Sequence, residues 1–301
     1  MGWRDIMNTM VNEATFLKPE SQESSLEPVL EKIMTVDEYS NLHHETPYVF
    51  SLKSGDKELF YFGAPHVRDP KNSIFSEIRT AFDKANPDII FVEGMNASID
   101  RNIINKKARE ATADEAIDGA GEAGFALKLG LEKGIEWQSP EPKDADLYDH
   151  LQKQGFSKEE IFARAVLLVL PQYNRQINKQ EFKEYSKSFI EQFEKETNWE
   201  GFDYSYERAI QIGERILGKS INFDNEEEAS DYIDPTPWPE KKETQTVLNR
   251  IGEASSTFRD KYIIKDIAEA LKKYKRLFIV YGASHAVMQE PALEELFKVK
   301  L

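Results

Sequence analysis

Two kinds of hydrophobic pattern organise this chain: short apolar runs that predict β-strands, and longer stretches with apolar residues three or four positions apart that predict helices. The runs at 48–52 and 59–62 flank Ser54-Gly55-Asp56, which predicts a β-hairpin. A helical pattern over 74–85 follows, and then the continuous apolar run 89–92. A strand, a helix and a second strand in this order favour parallel pairing, so we expect a βαβ unit.

The rest of the chain contains further strand signals on either side of a long helical stretch. An Ala- and Gly-rich segment from 113 to 133 predicts a helix, and the short segment 134–138 predicts a strand. From 144 to 256 the strand signal disappears and helical spacing dominates, which predicts a helical insertion. A last helix is expected from 257 to 274, before the apolar run 277–281.

Together these elements predict an α/β fold with a central, mostly parallel sheet flanked by helices. We expect 1–45 to be a partly ordered lead-in and 46–301 to be a single α/β domain that carries the helical insertion 144–256. With 301 residues and 40% hydrophobic content, the chain can bury a full core.

A similar phrase follows two of the predicted strands. Gly63-Ala64-Pro65-His66 comes after the second apolar run, and Gly282-Ala283-Ser284-His285 comes after the last one. Glu93 directly follows the run 89–92, and Glu141 lies in the turn after 134–138. Because open α/β sheets bind ligands at the carboxyl ends of their strands, we expect His66, Glu93, Glu141 and His285 to meet at one site.

These residue types predict hydrolytic chemistry in one of two forms. Two neutral imidazoles and one carboxylate, here His66, His285 and Glu93, make the open ligand set of a catalytic zinc-type site, whose bound water becomes a nucleophile. The same groups without a metal ion could carry out general acid–base catalysis, and the sequence does not separate the two. We expect Glu93 or Glu141 to move the proton and Arg259 to stabilise an anion.

Charge and composition exclude several other classes of function. The chain has 54 acidic and 39 basic residues, a net charge of −15 and no cysteine. Nucleic-acid binding is therefore not expected, and neither are disulfides, thiolate metal sites or cysteine nucleophiles. No run approaches the roughly 20 apolar residues of a membrane helix, so we expect a soluble cytoplasmic protein. The chain also lacks a His-Glu-x-x-His motif and a dinucleotide fingerprint.

Four segments resemble the TraB and TIKI group, which belongs with erythromycin esterases and ChaN-like haem-uptake proteins in one superfamily. Gly63–His66 and 280–285 are similar to its two Gly-x-x-His motifs. The segment 86–93 is similar to its Pro-Asp, strand, Glu element, and 258–262 to its helical Arg-Asp phrase. The resemblance implies hydrolytic chemistry in some members: metal-dependent peptidase activity in the TIKI branch and ester cleavage in the esterase branch.

The chain departs from the family pattern at two positions. Ala64 stands where the esterase branch favours Glu, and Ala97 stands where TraB proteins have Arg. The substrate of either branch is therefore not transferred to this chain.

The expected function is metal-dependent cleavage of an amide or ester bond in a small-molecule or peptide substrate. A divalent ion would be held by His66, Glu93 and His285, with Asp260 and Ser284 as their supporting neighbours. Three alternatives stay open: a metal-independent His/Glu esterase, a protein that binds haem or a metal-bearing ligand without turnover, and a non-catalytic domain that keeps only the fold.

Overall fold

The computed structural model describes residues 23–95, 100–174, 180–235 and 243–298. These divide into two compact units. One, here called the sheet unit, contains the residues up to Thr35, Leu42–Pro142 and the residues from Arg259 onward. The other, here called the helical unit, contains Val36–Asn41 and Lys143–Phe258, and the predicted insertion 144–256 falls within it.

Five strands form the single sheet of the described residues, in the spatial order β1-β2-β5-β3-β4. They are β1 (Tyr48–Ser54), β2 (Lys57–Ala64), β3 (Ile89–Val92), β4 (Glu136–Gln138) and β5 (Arg276–Gly282). Only β1 runs antiparallel, as one arm of a hairpin with β2, and the other four strands are parallel. The prediction of an α/β fold with a mostly parallel sheet is confirmed.

Six helices of the described residues lie wholly or partly in the sheet unit. In chain order they are α1 (Glu23–Leu30), α3 (Ile74–Ala85), α4 (Arg101–Glu110), α5 (Ala113–Glu132), the part of α12 (Val247–Lys273) from Arg259 onward, and α13 (Ala283–Lys298), with α2 (Val36–Ser40) assigned to the helical unit between them.

Helices cover both faces of the sheet because the strand residues alternate between two apolar clusters. Phe62, Ile90 and Phe278 pack with residues of α3, α4 and α5 on one face. Leu59, Ile89 and Leu277 pack with residues of α1, α12 and α13 on the other. Burial of each such side chain contributes about 1.5–3 kcal/mol, and this two-sided burial holds the strands in register.

The helical unit has its own apolar core, built from Phe162, Leu170, Ile212, Leu248 and neighbouring side chains. Its remaining helices are α6 (Asp144–Lys153), α7 (Lys158–Leu167), α8 (Leu170–Asn174), α9 (Phe182–Thr197), α10 (Tyr206–Leu217) and α11 (Glu226–Ile233), followed by the first residues of α12. A capping box at Ser157 starts α7, since the Ser157 and Glu160 side chains bond each other's backbone amides. No helix in the described parts of the chain is long and apolar enough to cross a membrane.

The last long helix begins earlier than the sequence predicted. We expected it to start at 257 with Arg259 and Asp260 in its first turn, but α12 begins at Val247. Its start is marked by Thr246, whose backbone amide donates to the Asn249 side chain and whose hydroxyl accepts from the Leu248 amide. Arg259 and Asp260 therefore lie in the middle of the helix, where their backbone is held on both sides.

Candidate active site

The four candidate residues follow neighbouring parallel strands of the sheet unit. His66 comes two residues after β2, Glu93 directly after β3, Glu141 three residues after β4, and His285 in the first turn of α13, directly after β5. Since β2, β5, β3 and β4 are adjacent in that order, their carboxyl ends form one edge. This edge is the usual ligand position of an open α/β sheet.

Glu93 is the centre of the cluster. Its Oε2 accepts a hydrogen bond from the Gly282 backbone amide at 2.7 Å. Its Oε1 lies 3.6 Å from Nε2 of His285 and 3.4 Å from Nη2 of Arg259. One buried carboxylate therefore connects the end of β3 with the end of β5, the first turn of α13 and the middle of α12.

His66 reaches the same carboxylate across Gly282. A β-carbon built on Gly282 would lie 2.5 Å from Nε2 of His66 and 3.4 Å from Oε2 of Glu93. Both side-chain atoms thus approach a point beside the Gly282 α-carbon, and only glycine leaves that point free. The two histidines, from opposite ends of the chain, thus lie in the surroundings of one carboxylate, His285 at 3.6 Å from Oε1 and His66 beside the Gly282 α-carbon that Oε2 also borders.

His285 is oriented from behind by a buried carboxylate. Its Nδ1 bonds Oδ1 of Asp260 at 2.6 Å, and the Asp260 side chain is fully buried. The same oxygen accepts from Nε2 of Gln289 at 2.7 Å, and Oε1 of Gln289 accepts from the Tyr61 hydroxyl at 3.0 Å. Asp260 thereby fixes the ring so that Nε2 faces Glu93.

Arg259 and Glu141 form a second charged pair beside Glu93. Nε of Arg259 donates to Oε2 of Glu141 at 2.9 Å, and Nη2 donates to Oε1 at 3.0 Å. This fork-to-fork geometry is the strongest form of an Arg–carboxylate pair. Oε1 of Glu141 also accepts from the Gly94 amide at 3.4 Å. Both oxygens of Glu141 are therefore occupied, which disfavours the predicted role of Glu141 as a proton carrier.

Charges in the cluster favour an ionised Glu93 and a protonated His285. Burial alone would raise the pKa of Glu93, but His285, His66, Arg259 and the Gly282 amide lower it to about 2. Burial would lower the pKa of His285, but Asp260 and Glu93 outweigh it and raise that pKa above its ordinary value. The Arg259 pKa is raised well above its usual range, because Glu141 and Glu93 more than offset the effect of burial.

His66 is held in an unusual backbone conformation. Its φ is 65°, a left-handed value that costs a residue with a β-carbon roughly 1–2 kcal/mol. The next amide, that of Val67, donates to Oε1 of Glu122 at 2.6 Å, and the Glu122 side chain comes from α5. The helix is kinked directly before Glu122, since Ala120 and Gly121 have non-helical backbone angles.

Two residues of this region were not among the sequence-predicted candidates. Glu122 is 4% exposed, and a lone acid among Ala120, Gly121, Ala123 and Gly124 was a signal that could have identified it. Tyr281 ends in a buried hydroxyl that has no hydrogen-bond partner among the described residues. The sequence did not single out Tyr281, because it ends the apolar run of β5 and tyrosine in a strand usually packs against its neighbours.

The structure brings six of the predicted site residues together and leaves one aside. His66, Glu93, Glu141, Arg259, Asp260 and His285 form a connected set in the sheet unit. Ser284 is half-buried, and its hydroxyl bonds no described residue. As for the predicted metal ligands, the described residues include no group of three or more His, Cys, Asp or Glu side chains arranged to hold an ion.

The lowered pKa of Glu93 predicts that the free energy of unfolding decreases in acid. Because its pKa is lowered from 4.5 to about 2, its stabilisation is complete above the unfolded value and is lost as the pH falls from 4.5 toward 2. Between about pH 6 and about pH 3 we expect the wild type to lose on the order of 2 kcal/mol more free energy of unfolding than Glu93→Gln. Urea unfolding followed by circular dichroism measures this.

The exposed Glu110 provides the matched control, and Glu110→Gln should follow the wild type across this range. Equal acid dependence in the wild type and in Glu93→Gln would show that the Glu93 charge is not stabilised in the fold.

Comparison with known proteins identifies no relative of this chain. No protein-family model, curated protein or solved structure matches the chain. The resemblance to the TraB and TIKI group therefore rests on the four sequence motifs and stays a prediction.

Proposed function

We propose that this protein is a hydrolase that cleaves an ester or amide bond by acid–base catalysis between His66, Glu93 and His285. One observation carries the proposal: at the carboxyl edge of a parallel sheet, His285 lies 3.6 Å from Oε1 of Glu93, while the His66 ring and Oε2 of Glu93 both border the same point beside the Gly282 α-carbon. Two imidazoles in different environments near one carboxylate supply a base and an acid at one position.

His66 is the general base in this mechanism. It is exposed to solvent, so a water molecule can reach its ring, whereas His285 is 8% exposed and bonds Asp260. His66 accepts a proton from a water molecule, and the water oxygen attacks the substrate carbonyl carbon. A tetrahedral intermediate forms, in which the former carbonyl oxygen carries the negative charge.

His285 is the general acid. Its pKa is raised by Asp260 and Glu93 against the effect of burial, so the imidazolium is favoured. The intermediate collapses, the bond to the leaving oxygen or nitrogen breaks, and Nε2 of His285 gives its proton to that atom. The proton taken up by His66 and the proton lost from His285 are then exchanged with solvent, which balances the cycle.

Arg259 stabilises the oxyanion, and Glu141 positions Arg259. Nε and Nη2 of Arg259 are used by Glu141 and Glu93, whereas Nη1 has no hydrogen-bond partner among the described residues. Nη1 is therefore the donor available to a carbonyl oxygen that gains charge. The bidentate pair with Glu141 keeps the guanidinium plane fixed while that charge develops.

A divalent ion bound by Nε2 of His66, the carboxylate of Glu93 and Nε2 of His285 is the second candidate. The Asp260 bond to Nδ1 of His285 favours it, because metal-bound imidazoles usually donate their other N–H to a carboxylate. Such an ion would lower the pKa of a bound water and so supply the nucleophile. The guanidinium of Arg259, 3.4 Å from Oε1 of Glu93, disfavours it by placing a fixed positive charge beside that ligand.

Replacement of the acid and of the carboxylate tests the proposal directly. In His285→Gln and Glu93→Gln we expect kcat/KM for the hydrolysis of 4-nitrophenyl esters and amino-acid 4-nitroanilides to fall by about 10²–10⁴-fold. The first substitution removes the general acid, and the second removes a charge that raises the pKa of His285. The exposed His43 gives a control, since His43→Gln should keep the wild-type rate. Equal rates in all four proteins, with unchanged circular dichroism, would remove the hydrolase proposal.

Gly282→Ala separates the position of His66 from the stability of the fold. The added methyl group would lie 2.5 Å from Nε2 of His66, and the exposed ring can move away from it. We therefore expect the free energy of unfolding to change by less than about 1 kcal/mol while kcat/KM falls on the order of 10²-fold. Wild-type activity in Gly282→Ala would show that the approach of His66 to Glu93 does not serve catalysis.

Metal analysis distinguishes the two candidates. In protein purified without a His tag, acid–base catalysis predicts less than about 0.1 equivalents of any divalent metal, and activity that survives chelation. One equivalent in the wild type that is lost in both His66→Ala and His285→Ala would instead establish the metal site.

A further inference from the structure

One buried carboxylate of the sheet unit takes no part in the mechanism above. Glu122 is 4% exposed, lies in an otherwise apolar cluster that includes Ile117, Phe125 and Ala126, and accepts the Val67 amide at 2.6 Å. Burial of a carboxyl group costs free energy, so Glu122 requires a hydrogen bond that offsets this cost. The bond that it makes is to the residue next to His66.

The backbone around Glu122 fits the His66 loop on two sides. Gly121 has φ of 56° and ψ of −139°, which interrupts α5 and starts its second segment at Glu122. A β-carbon on Gly121 would lie 3.1 Å from the Val67 carbonyl oxygen. The kink thus lets the loop approach α5 closely, with the Val67 carbonyl against Gly121 and the Val67 amide on Glu122.

The hydrogen bond between the Val67 amide and Glu122 explains why the His66 ring lies beside Gly282. The residue leaves the strand edge at φ 65°, and the amide that follows it is fixed by a charge-assisted hydrogen bond. With Val67 held at one end and β2 at the other, the His66 ring lies over the Gly282 α-carbon. The Val67 side chain also packs against the apolar cluster, and the Glu122 bond adds the hydrogen bond that fixes the amide directly after His66.

We propose that Glu122 is a positioning residue that holds His66 beside Glu93 through the Val67 amide, an inference that rests on the role of His66 in the proposed hydrolase. Glu122 touches neither reacting histidine. It acts by limiting the loop to one conformation, and so keeps the base where the water molecule must be deprotonated.

Two substitutions of similar size separate the hydrogen bond from packing. Glu122→Gln keeps an acceptor oxygen, whereas Glu122→Leu fills the space without one. We expect kcat of Glu122→Leu to fall about 10²-fold with little change in KM, and Glu122→Gln to retain most of the activity. A purely structural role would instead lower the stability of Glu122→Leu and leave the rate per folded molecule unchanged.

A spectroscopic readout tests the position of His66 without any substrate. The chain has five histidines, so their ring nitrogens can be followed individually after labelling with ¹⁵N-histidine, and His66→Gln assigns the signal of interest. In the wild type, Glu93→Gln should shift the His66 signals, since the two side chains are close. In a Glu122→Leu background, the same Glu93→Gln change should leave the His66 signals unmoved.

The outcomes are distinct. An undiminished Glu93-dependent shift in folded Glu122→Leu overturns the positioning role, whatever the activity. Loss of the shift in a protein that hydrolyses nothing removes the proposed function but leaves Glu122 as the support of the loop. If Glu122→Leu does not fold, hydrogen exchange decides the question, since the Val67 amide should be protected in the wild type and in Glu122→Gln, and fast exchange in both overturns the proposal.

Discussion

The ionised carboxylate of Glu93 is the constraint on which the edge of the sheet depends. A charge removed from water needs several partners, and Glu93 finds them in the Gly282 amide, His285, Arg259 and the approaching ring of His66. These partners come from three separate segments of the chain, since Gly282 and His285 share one of them. The requirement to compensate one negative charge therefore determines how β2, β3, β5, α12 and α13 meet.

The order of the strands makes this meeting possible. β5 is the last strand in the sequence but lies between β2 and β3 in the sheet, so that the two Gly-x-x-His segments become neighbours. The register places Gly63 opposite Tyr281 and Ala64 opposite Gly282, so the two glycines lie one position apart on adjacent strands. Glycine at 63 lets β2 approach the first turn of α13, where a β-carbon would meet Ala286 at 2.8 Å. Glycine at 282 leaves space for His66.

Around this centre, the charged groups are arranged in supporting pairs. Asp260 orients His285, Glu141 orients Arg259, and Glu122 holds the amide that follows His66. Each reacting or stabilising group thus has a buried carboxylate behind it, supplied by a helix or by the turn after β4. Such outer contacts restrict side-chain motion, which is what chemistry at a fixed distance requires.

The sequence by itself determined the fold class and the residues that end the strands. Apolar runs of four to seven residues and helical spacing between them led to the parallel sheet, because these patterns follow from local backbone geometry and burial. The repeated Gly-x-x-His phrase and the acid after 89–92 named His66, Glu93 and His285 as candidates. The prediction failed at the start of α12, which begins at Val247 rather than 257.

Only the tertiary structure decided the partners of each charge. The sequence predicted that Glu93 or Glu141 moves a proton and could not distinguish them, whereas the position of Arg259 in the middle of α12 brings Glu141 into a bidentate pair. The hydrogen bond of Glu122 to Val67 joins residues 55 positions apart, and no local pattern specifies it. Hydrophobic periodicity records which face of an element is buried, whereas the pairing of buried polar groups depends on how several elements pack at once.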